Sequence, residues 1–146
     1  RGLTAEAVCV VDCGTAITAD LLDAGGGHLG GAIVPGIALM GRAVRGAAPE
    51  IPDMPPADGA EWDPATGPGR GTDEGIAAGA LLGVAGFIER FHRLAADQLG
   101  DAPACLLCGG DAARVAPLVR RDCRCVPELV LVGLARLAGE ETREPL

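Results

Sequence analysis

The residues best suited to chemistry in this sequence lie together near its start, in the segment Asp12-Cys13-Gly14-Thr15. Asp12 can hold a cation or orient a neighbouring group, because carboxylate oxygens are good ligands for hard cations. Thr15 offers a hydroxyl and a main-chain N–H, and both can donate hydrogen bonds to a phosphate oxygen. Gly14 permits a tight turn and a close approach of the backbone to a ligand. The segment therefore suits an anion site with a cation beside it, and it equally suits a simple turn between two strands.

A second candidate is the glycine pair Gly109-Gly110, which follows an apolar run ending at Cys108 and precedes Asp111. Asp111 is predicted to cap a helix that runs through about Val119. A strand, two glycines and a helix leave free N–H groups beside any ligand above the sheet. An ordinary connection between a strand and a helix has the same pattern, so both interpretations stay open.

The apolar pattern predicts the elements that position these segments. Strands are predicted at residues 7–11, 17–23, 29–34, 104–108 and 123–126, and helices at 37–45, 72–99, 111–119 and 129–138. Short connections between the first three strands favour an antiparallel meander. The order as a whole predicts an α/β fold, a mixed β-sheet flanked by helices.

The long helix is expected to be central. Thr72 is predicted as its N-cap, and two acidic residues follow in the first turn, where they complement the helix dipole. An apolar stripe is predicted from Ile76, Ala80, Val84, Phe87, Phe91 and Leu94. Glycines at near-helical spacing would let another element approach closely; they are Gly75, Gly79, Gly83 and Gly86.

The stretch from Ala47 to Gly71 has no periodicity and is interpreted as a long loop or flap. Trp62 is its one large apolar side chain, and it either anchors the loop or touches a partner subunit. The two histidines are His28, which follows a glycine turn, and His92, which is expected to face solvent from a helix. Neither is expected to act as a catalytic base.

The composition limits the possible partners. The net charge is −8, which disfavours binding to nucleic acid or to anionic membranes. No apolar run reaches transmembrane length and no signal peptide leads the chain, so a cytoplasmic location is expected. At 146 residues, the chain corresponds to one domain or to one lobe of a larger protein.

The six cysteines are interpreted as free thiols. Cys105 and Cys108 have the spacing of a zinc site, but residues three apart on a strand face opposite sides of the sheet. The other four cysteines also lie among residues typical of strands. Buried free thiols are therefore favoured over a metal site or disulfides, in keeping with a reducing cytoplasm.

Five motifs in order resemble those of the type III pantothenate kinases, within the acetate kinase, sugar kinase, Hsp70 and actin superfamily. Residues 11–16 look like the family's V-D-x-G-T-A, and residues 29–36 look like its G-G-x-I-x-P-G. Residues 69–72 are similar to G-K-N-T, 107–110 to T-G-G, and 126–134 to D-P-x-L-x-L-x-G-L. The likeness spans roughly residues 7 to 138 and implies one ribonuclease H-like lobe of an actin-like ATPase.

The resemblance implies a role for each matching residue. Asp12 would hold a monovalent cation, K⁺ or NH₄⁺, and Thr15 with Gly14 would contact ATP. Gly109 and Gly110 would lie near the nucleotide, and Thr72 would bind pantothenate. Mg²⁺ would accompany ATP, with no ligand assignable among these residues. The resemblance also implies a homodimer, with the substrate site near the subunit interface.

Two family features are not found in the sequence: the D-x-G-N phosphate loop and the G-x-D-R segment, which carries the general-base Asp. The first residue is Arg rather than Met. We therefore expect residues 1–146 to form a single lobe, the C-terminal half of a kinase, inactive alone and with its base upstream. The alternative is a regulatory or accessory protein without catalytic activity on the same fold.

Overall fold

The computed structural model describes residues 6–48, 50–51, 62–63 and 67–139. The elements follow in chain order as β1 (Val8–Cys13), β2 (Ala16–Leu22), β3 (His28–Pro35), α1 (Ile37–Ala47), α2 (Thr72–Leu99), β4 (Ala104–Cys108), α3 (Ala112–Val115), a 3₁₀ turn (Ala116–Leu118), β5 (Arg124–Cys125) and α4 (Leu129–Leu137). The predicted elements are present within two residues of their expected bounds, except for the predicted helix 111–119.

The strands form one sheet in the order β3-β2-β1-β4-β5. β2 is antiparallel to both β1 and β3, which confirms the meander, whereas β4 is parallel to β1 and β5 is parallel to β4. This mixed sheet with flanking helices confirms the predicted α/β fold class.

The core lies between the sheet and α2. Val84 and Ile88 of α2 are fully buried and belong to the same cluster as Val11, Ile17 and Leu107 of the strands. At 28 residues, α2 is about 42 Å long. It ends at Gly100, whose φ of 75° is left-handed, as is common after a helix.

The outer surface of α2 differs from the predicted packing. The glycines Gly75, Gly79, Gly83 and Gly86 have nothing within 4 Å of the position that a Cβ would occupy. Within the described part of the chain no element approaches them, so they form an open surface on the helix, which we call the glycine face. Leu94, predicted in the apolar stripe, is 48% exposed.

The capping of two helices differs from the prediction. Gly71, not Thr72, occupies the N-cap position of α2, and no side chain caps it. Asp111 occupies the N-cap position of α3, as predicted, but its side chain does not cap the helix, because its carboxylate accepts a hydrogen bond from Arg114 at 2.8 Å. The predicted helix 111–119 changes to a 3₁₀ turn at Ala116–Leu118 because Pro117 has no N–H to continue the α-helical ladder.

His92 does not face solvent. Its side chain is buried, and Nε2 lies 2.7 Å from the carbonyl oxygen of Pro103, just before β4. Because a carbonyl can only accept, Nε2 carries the proton. His92 thus ties α2 to the start of β4.

We expect His92→Ala to lower the free energy of unfolding by about 2–4 kcal/mol, because it removes a buried ring and leaves the Pro103 carbonyl unpaired. Urea denaturation measures the change. Arg93→Ala, at the exposed next position, is the control and should change stability by no more than about 0.5 kcal/mol. Equal effects in the two variants would contradict this role for His92.

Only part of the predicted loop 47–71 is described. Trp62 packs against the core, and its Nε1 donates a hydrogen bond to the carbonyl of Gly67 at 2.7 Å. This confirms the interpretation of Trp62 as an anchor for its own loop. No helix in the described residues is long and apolar enough to cross a membrane.

Candidate functional site

The turn after β1 and the glycine pair after β4 meet at one edge of the sheet. β1 and β4 are parallel neighbours, and Asp12 is paired with Cys108 in their register. The N–H of Asp111 donates to the carbonyl of Cys13 at 3.0 Å. These contacts bring together the two segments that the sequence analysis identified as candidates. The paired residues Asp12 and Cys108 are 96 residues apart in the sequence.

Gly109 is the point of closest contact. Its φ is +87°, which disfavours any residue with a side chain. A Cβ there would collide with the Asp12 carboxylate and would lie 2.7 Å from the carbonyl oxygen of Cys13. By contrast, nothing lies within 4 Å of the Cβ position of Gly110. The first glycine therefore permits the junction, and the second leaves its surface open.

A third segment braces the same turn from the other side. The N–H of Gly36, after β3, donates to the carbonyl of Thr15 at 2.9 Å, and a Cβ on Gly36 would lie 2.5 Å from that oxygen. In the sequence, Pro35 and Gly36 were recognised only as the end of the segment 29–36, which resembles a family motif. The role of Gly36 in holding Thr15 was missed. A usable signal was the short connection between β2 and β3, which returns the end of β3 to the D-x-G-T turn.

Hydrogen-bonding groups at this edge are available for a ligand. No hydrogen bond among the described residues uses the Asp12 carboxylate, which is half-buried, or the N–H groups of Thr15 and Gly110. An unpaired carboxylate fits a cation, and free N–H groups with the exposed Thr15 hydroxyl fit phosphate oxygens. No group of three or more His, Cys, Asp or Glu side chains in the described residues could hold a metal ion. A cation at Asp12 would therefore need backbone, water or substrate oxygens as further ligands.

Two buried thiols flank Asp12. Burial raises the pKa of Cys13 to about 12, with smaller contributions from Cys108, Asp12 and Asp111. Burial and then the charge of Asp12 raise the pKa of Cys108 to about 11. Both thiols are therefore neutral at pH 7. The negative charge around this turn comes from the carboxylates of Asp12 and Asp111. Cys9, further along β1, also has its pKa raised by burial, to about 11.

These pKa values predict a loss of stability in alkali. The chain has no lysine or tyrosine, so between pH 9 and 11 cysteines are the side chains that titrate. Above the ordinary thiol pKa of 9.0, the unfolded state loses protons that the folded state keeps until about pH 11. Each of Cys9, Cys13 and Cys108 should then lower the free energy of unfolding by about 1.4 kcal/mol per pH unit.

Denaturant melts in reductant at pH 8 to 11 measure this slope. Cys13→Ala removes one of the titrating thiols. The loss in the free energy of unfolding per pH unit should therefore become smaller by about 1.4 kcal/mol, the contribution of one proton. A free energy of unfolding that stays constant from pH 9 to 11 would contradict the burial of these thiols.

Thr72 lies apart from this edge but is connected to it. It is exposed at the start of α2 and lines a cavity of about 580 Å³ between α1 and α2. The walls are mostly apolar and include Pro35, Met40, Val44, Ile76 and the glycine-face residues Gly75 and Gly79. Pro35 precedes Gly36, so the wall of this cavity continues into the brace behind Thr15.

An ion pair holds the two helices around the cavity. Arg45 of α1 lies 2.7 Å from the carboxylate of Asp73 on α2, and its side chain is only 8% exposed. His28 is paired with Asp20 at 2.9 Å and lies at the far end of β3, opposite Leu22. Neither histidine joins the site.

Comparisons with known proteins agree with this arrangement. The family model described as type III pantothenate kinase matches residues 2–94. A type III pantothenate kinase of Nitrosococcus oceani is 40% identical over 139 residues, 94% of this chain and 50% of that protein. One from Azotobacter vinelandii is 39% identical over 133 residues, 91% of this chain and 53% of that protein. The chain thus spans about half the length of the curated relatives it matches.

A solved structure supports the fold. A Campylobacter jejuni protein assigned to the Baf family of transcriptional activators superposes with a TM-score of 0.65 and 22% identity. The match covers 95% of this chain and 65% of that one. The family model, the relatives and the motifs that meet at the sheet edge agree: the chain belongs to the type III pantothenate kinase family.

Proposed function

We propose that residues 1–146 form the C-terminal lobe of a pantothenate kinase, which transfers the γ-phosphoryl group of ATP to pantothenate. The product, 4′-phosphopantothenate, makes this the first step of coenzyme A biosynthesis. The observation that carries the proposal is the meeting of three family motifs, around Asp12, Gly36 and Gly109, at one sheet edge. A cytoplasmic location is part of the proposal and agrees with the buried free thiols.

The nucleotide side of the site would be formed at that edge. Phosphoryl transfer depends mainly on positioning and on stabilising charge. The Thr15 hydroxyl and the N–H groups of Thr15 and Gly110 would donate to phosphate oxygens, with Gly14 and Gly109 allowing close approach. Asp12 would hold a monovalent cation, whose charge would help to neutralise the phosphates. Mg²⁺ would arrive with ATP.

The substrate side would be formed by Thr72 and its cavity. The apolar walls suit the hydrocarbon part of pantothenate, and the Thr72 hydroxyl supplies a hydrogen bond. The family's Lys and Asn of G-K-N-T are replaced here by Arg70 and Gly71. Arg keeps the positive charge but not its point geometry, and Gly lacks the amide group. The general base would be an Asp in the N-terminal half of the enzyme.

We further propose that the enzyme is a homodimer built on the glycine face of α2. This face is open, it borders the Thr72 cavity, and Leu82 beside it is 53% exposed. A surface of small residues lets two helices approach closely, which would bring a second subunit to the mouth of the substrate cavity.

We expect Gly83→Leu to convert the dimer to a monomer while the helical circular dichroism is retained. The Cβ position of Gly83 is open, so leucine fits the folded subunit but would block a close helix contact. Gly133→Leu is the matched control, on α4 at the opposite face of the sheet and equally open. Light scattering gives the mass, and a Gly83→Leu variant that stays dimeric would remove this face from the interface.

The activity is tested with a chimera in which this chain replaces the C-terminal half of the Nitrosococcus oceani enzyme. We expect pantothenate-dependent release of ADP by the chimera, and none by the 146-residue chain alone. The relative's own two halves, joined in the same way, are the positive control. A folded chimera that binds ATP but transfers no phosphoryl group would favour the regulatory alternative instead.

A further inference from the structure

Away from the sheet edge, the side chains of two cysteines are in direct contact. The Sγ atoms of Cys105, in β4, and Cys123, just before β5, lie 2.6 Å apart. Both are free thiols. Cys105 is buried, and Cys123 is half-buried and reachable from solvent. The pair is not used by the proposed kinase reaction.

The backbone brings these two residues into register. β4 and β5 are parallel, and Leu106 is paired with Arg124. Cys105 and Cys123 each precede one residue of that pair, so the same register places them opposite each other. Neighbouring strands are about 4.8 Å apart, which lies within the range of about 4.4–6.8 Å between the Cα atoms of a disulfide. A bond between the two sulfurs therefore requires little movement of the backbone.

The surroundings hold Cys123 in place. The N–H of Arg120 donates to the carboxylate of Glu89 on α2 at 2.7 Å, which fixes the segment leading to Cys123. The hydrogen bond between the two thiols is the largest cause that lowers the pKa of Cys123 below its ordinary value, and Arg121 lowers it further. Burial, Asp122 and Glu89 act in the opposite direction. The pKa of Cys105 is raised by the same hydrogen bond and by burial, so Cys123, which is also the less buried of the two, is the more acidic thiol of the pair.

We propose that Cys105 and Cys123 are a redox modification site, which a peroxide oxidises to a disulfide between β4 and β5. The Cys123 thiolate attacks one oxygen of hydrogen peroxide, giving a sulfenic acid and hydroxide. The Cys105 sulfur then attacks the Cys123 sulfur and gives up its proton, and water leaves as the S–S bond forms. Two thiols and one peroxide thus give one disulfide and two waters.

The experiment treats the purified, reduced 146-residue chain with hydrogen peroxide at pH 7, followed by alkylation and trypsin digestion. Arg114, Arg120 and Arg121 separate the two cysteines, and Arg124 separates Cys123 from Cys125. We expect residues 122–124 joined to residues 94–114 in a pair that is lighter by two hydrogen atoms and is released by dithiothreitol. Residues 94–114 contain both Cys105 and Cys108, so fragmentation of the joined peptides identifies Cys105 as the bridged residue. No bridge, or a bridge that pairs Cys123 with another residue, would overturn the proposal.

Variants identify the roles of the two sulfurs. Cys105→Ser should leave Cys123 as a sulfenic acid that dimedone traps, with the bridge lost. Cys125→Ser, at the exposed cysteine two residues further on, should form the bridge at an unchanged rate. A bridge that persists in Cys105→Ser, or disappears in Cys125→Ser, would contradict the assignment. If Cys105→Ser does not fold, fragmentation of the cross-linked peptides from the oxidised chain without substitutions still shows whether Cys105 or Cys108 is bridged.

Discussion

Asp12→Asn should reduce the kinase activity of the chimera about 100-fold, as is typical when one electrostatic contact to a transition state is lost. The substitution keeps the size and shape of the side chain and removes the charge that would hold the monovalent cation. No described residue hydrogen-bonds to this carboxylate, so the variant should fold with nearly unchanged stability. Activation by potassium should disappear along with the activity.

The assay is the rate of ADP release as a function of potassium concentration, at saturating ATP and pantothenate. Asp97→Asn is the control, because Asp97 is exposed on α2 and lies outside the site. It should leave both the rate and the response to potassium unchanged. If Asp12→Asn keeps its activation by potassium, Asp12 is not the cation ligand.

Gly109→Ala should have the second large effect, a loss of about 3 kcal/mol in the free energy of unfolding. Alanine would be strained at a φ of +87°, and its Cβ would collide with the carboxylate of Asp12 and with the backbone of Cys13. Because these contacts are backbone and a half-buried carboxylate, the collision can be relieved only by opening the junction between β1 and β4. ATP binding by the chimera should weaken as well.

The adjacent glycine provides a matched control for stability. Gly110→Ala adds the same methyl group at a position with nothing within 4 Å, so we expect a change of less than about 1 kcal/mol. Chemical denaturation of both variants of the 146-residue chain makes the comparison. Similar stabilities for Gly109→Ala and Gly110→Ala would show that the close contact at Gly109 is not made.

The sequence was sufficient to predict the strands, the meander and the bounds of α2, because each depends on local pattern. The D-x-G-T turn and the glycine pair were also recognisable, since their chemistry is contained in adjacent residues. Their meeting is a matter of register between β1 and β4, which are far apart in the sequence. The brace from Gly36 to Thr15 depends likewise on how the meander folds back.

The buried face of α2 shows why the rest was missed. The predicted stripe gave weight to large residues such as Phe87 and Phe91, which are only half-buried. The face that packs against the sheet instead includes Ala77, Ala85 and Ala95, because small residues let the helix lie close to the strands. His92 follows Ile88 by four residues on this face, and a stripe centred on the alanines would have identified it as buried.

The most direct test of the account is to observe which main-chain N–H groups respond to nucleotide. Nuclear magnetic resonance of the chimera, with isotope-labelled glycine and threonine, follows these signals during titration with a non-hydrolysable ATP analogue and Mg²⁺. The account predicts saturable shifts at Gly14, Thr15, Gly109 and Gly110, and a shift at Thr72 only when pantothenate is added. Saturable binding of the analogue with those four signals unmoved would contradict it.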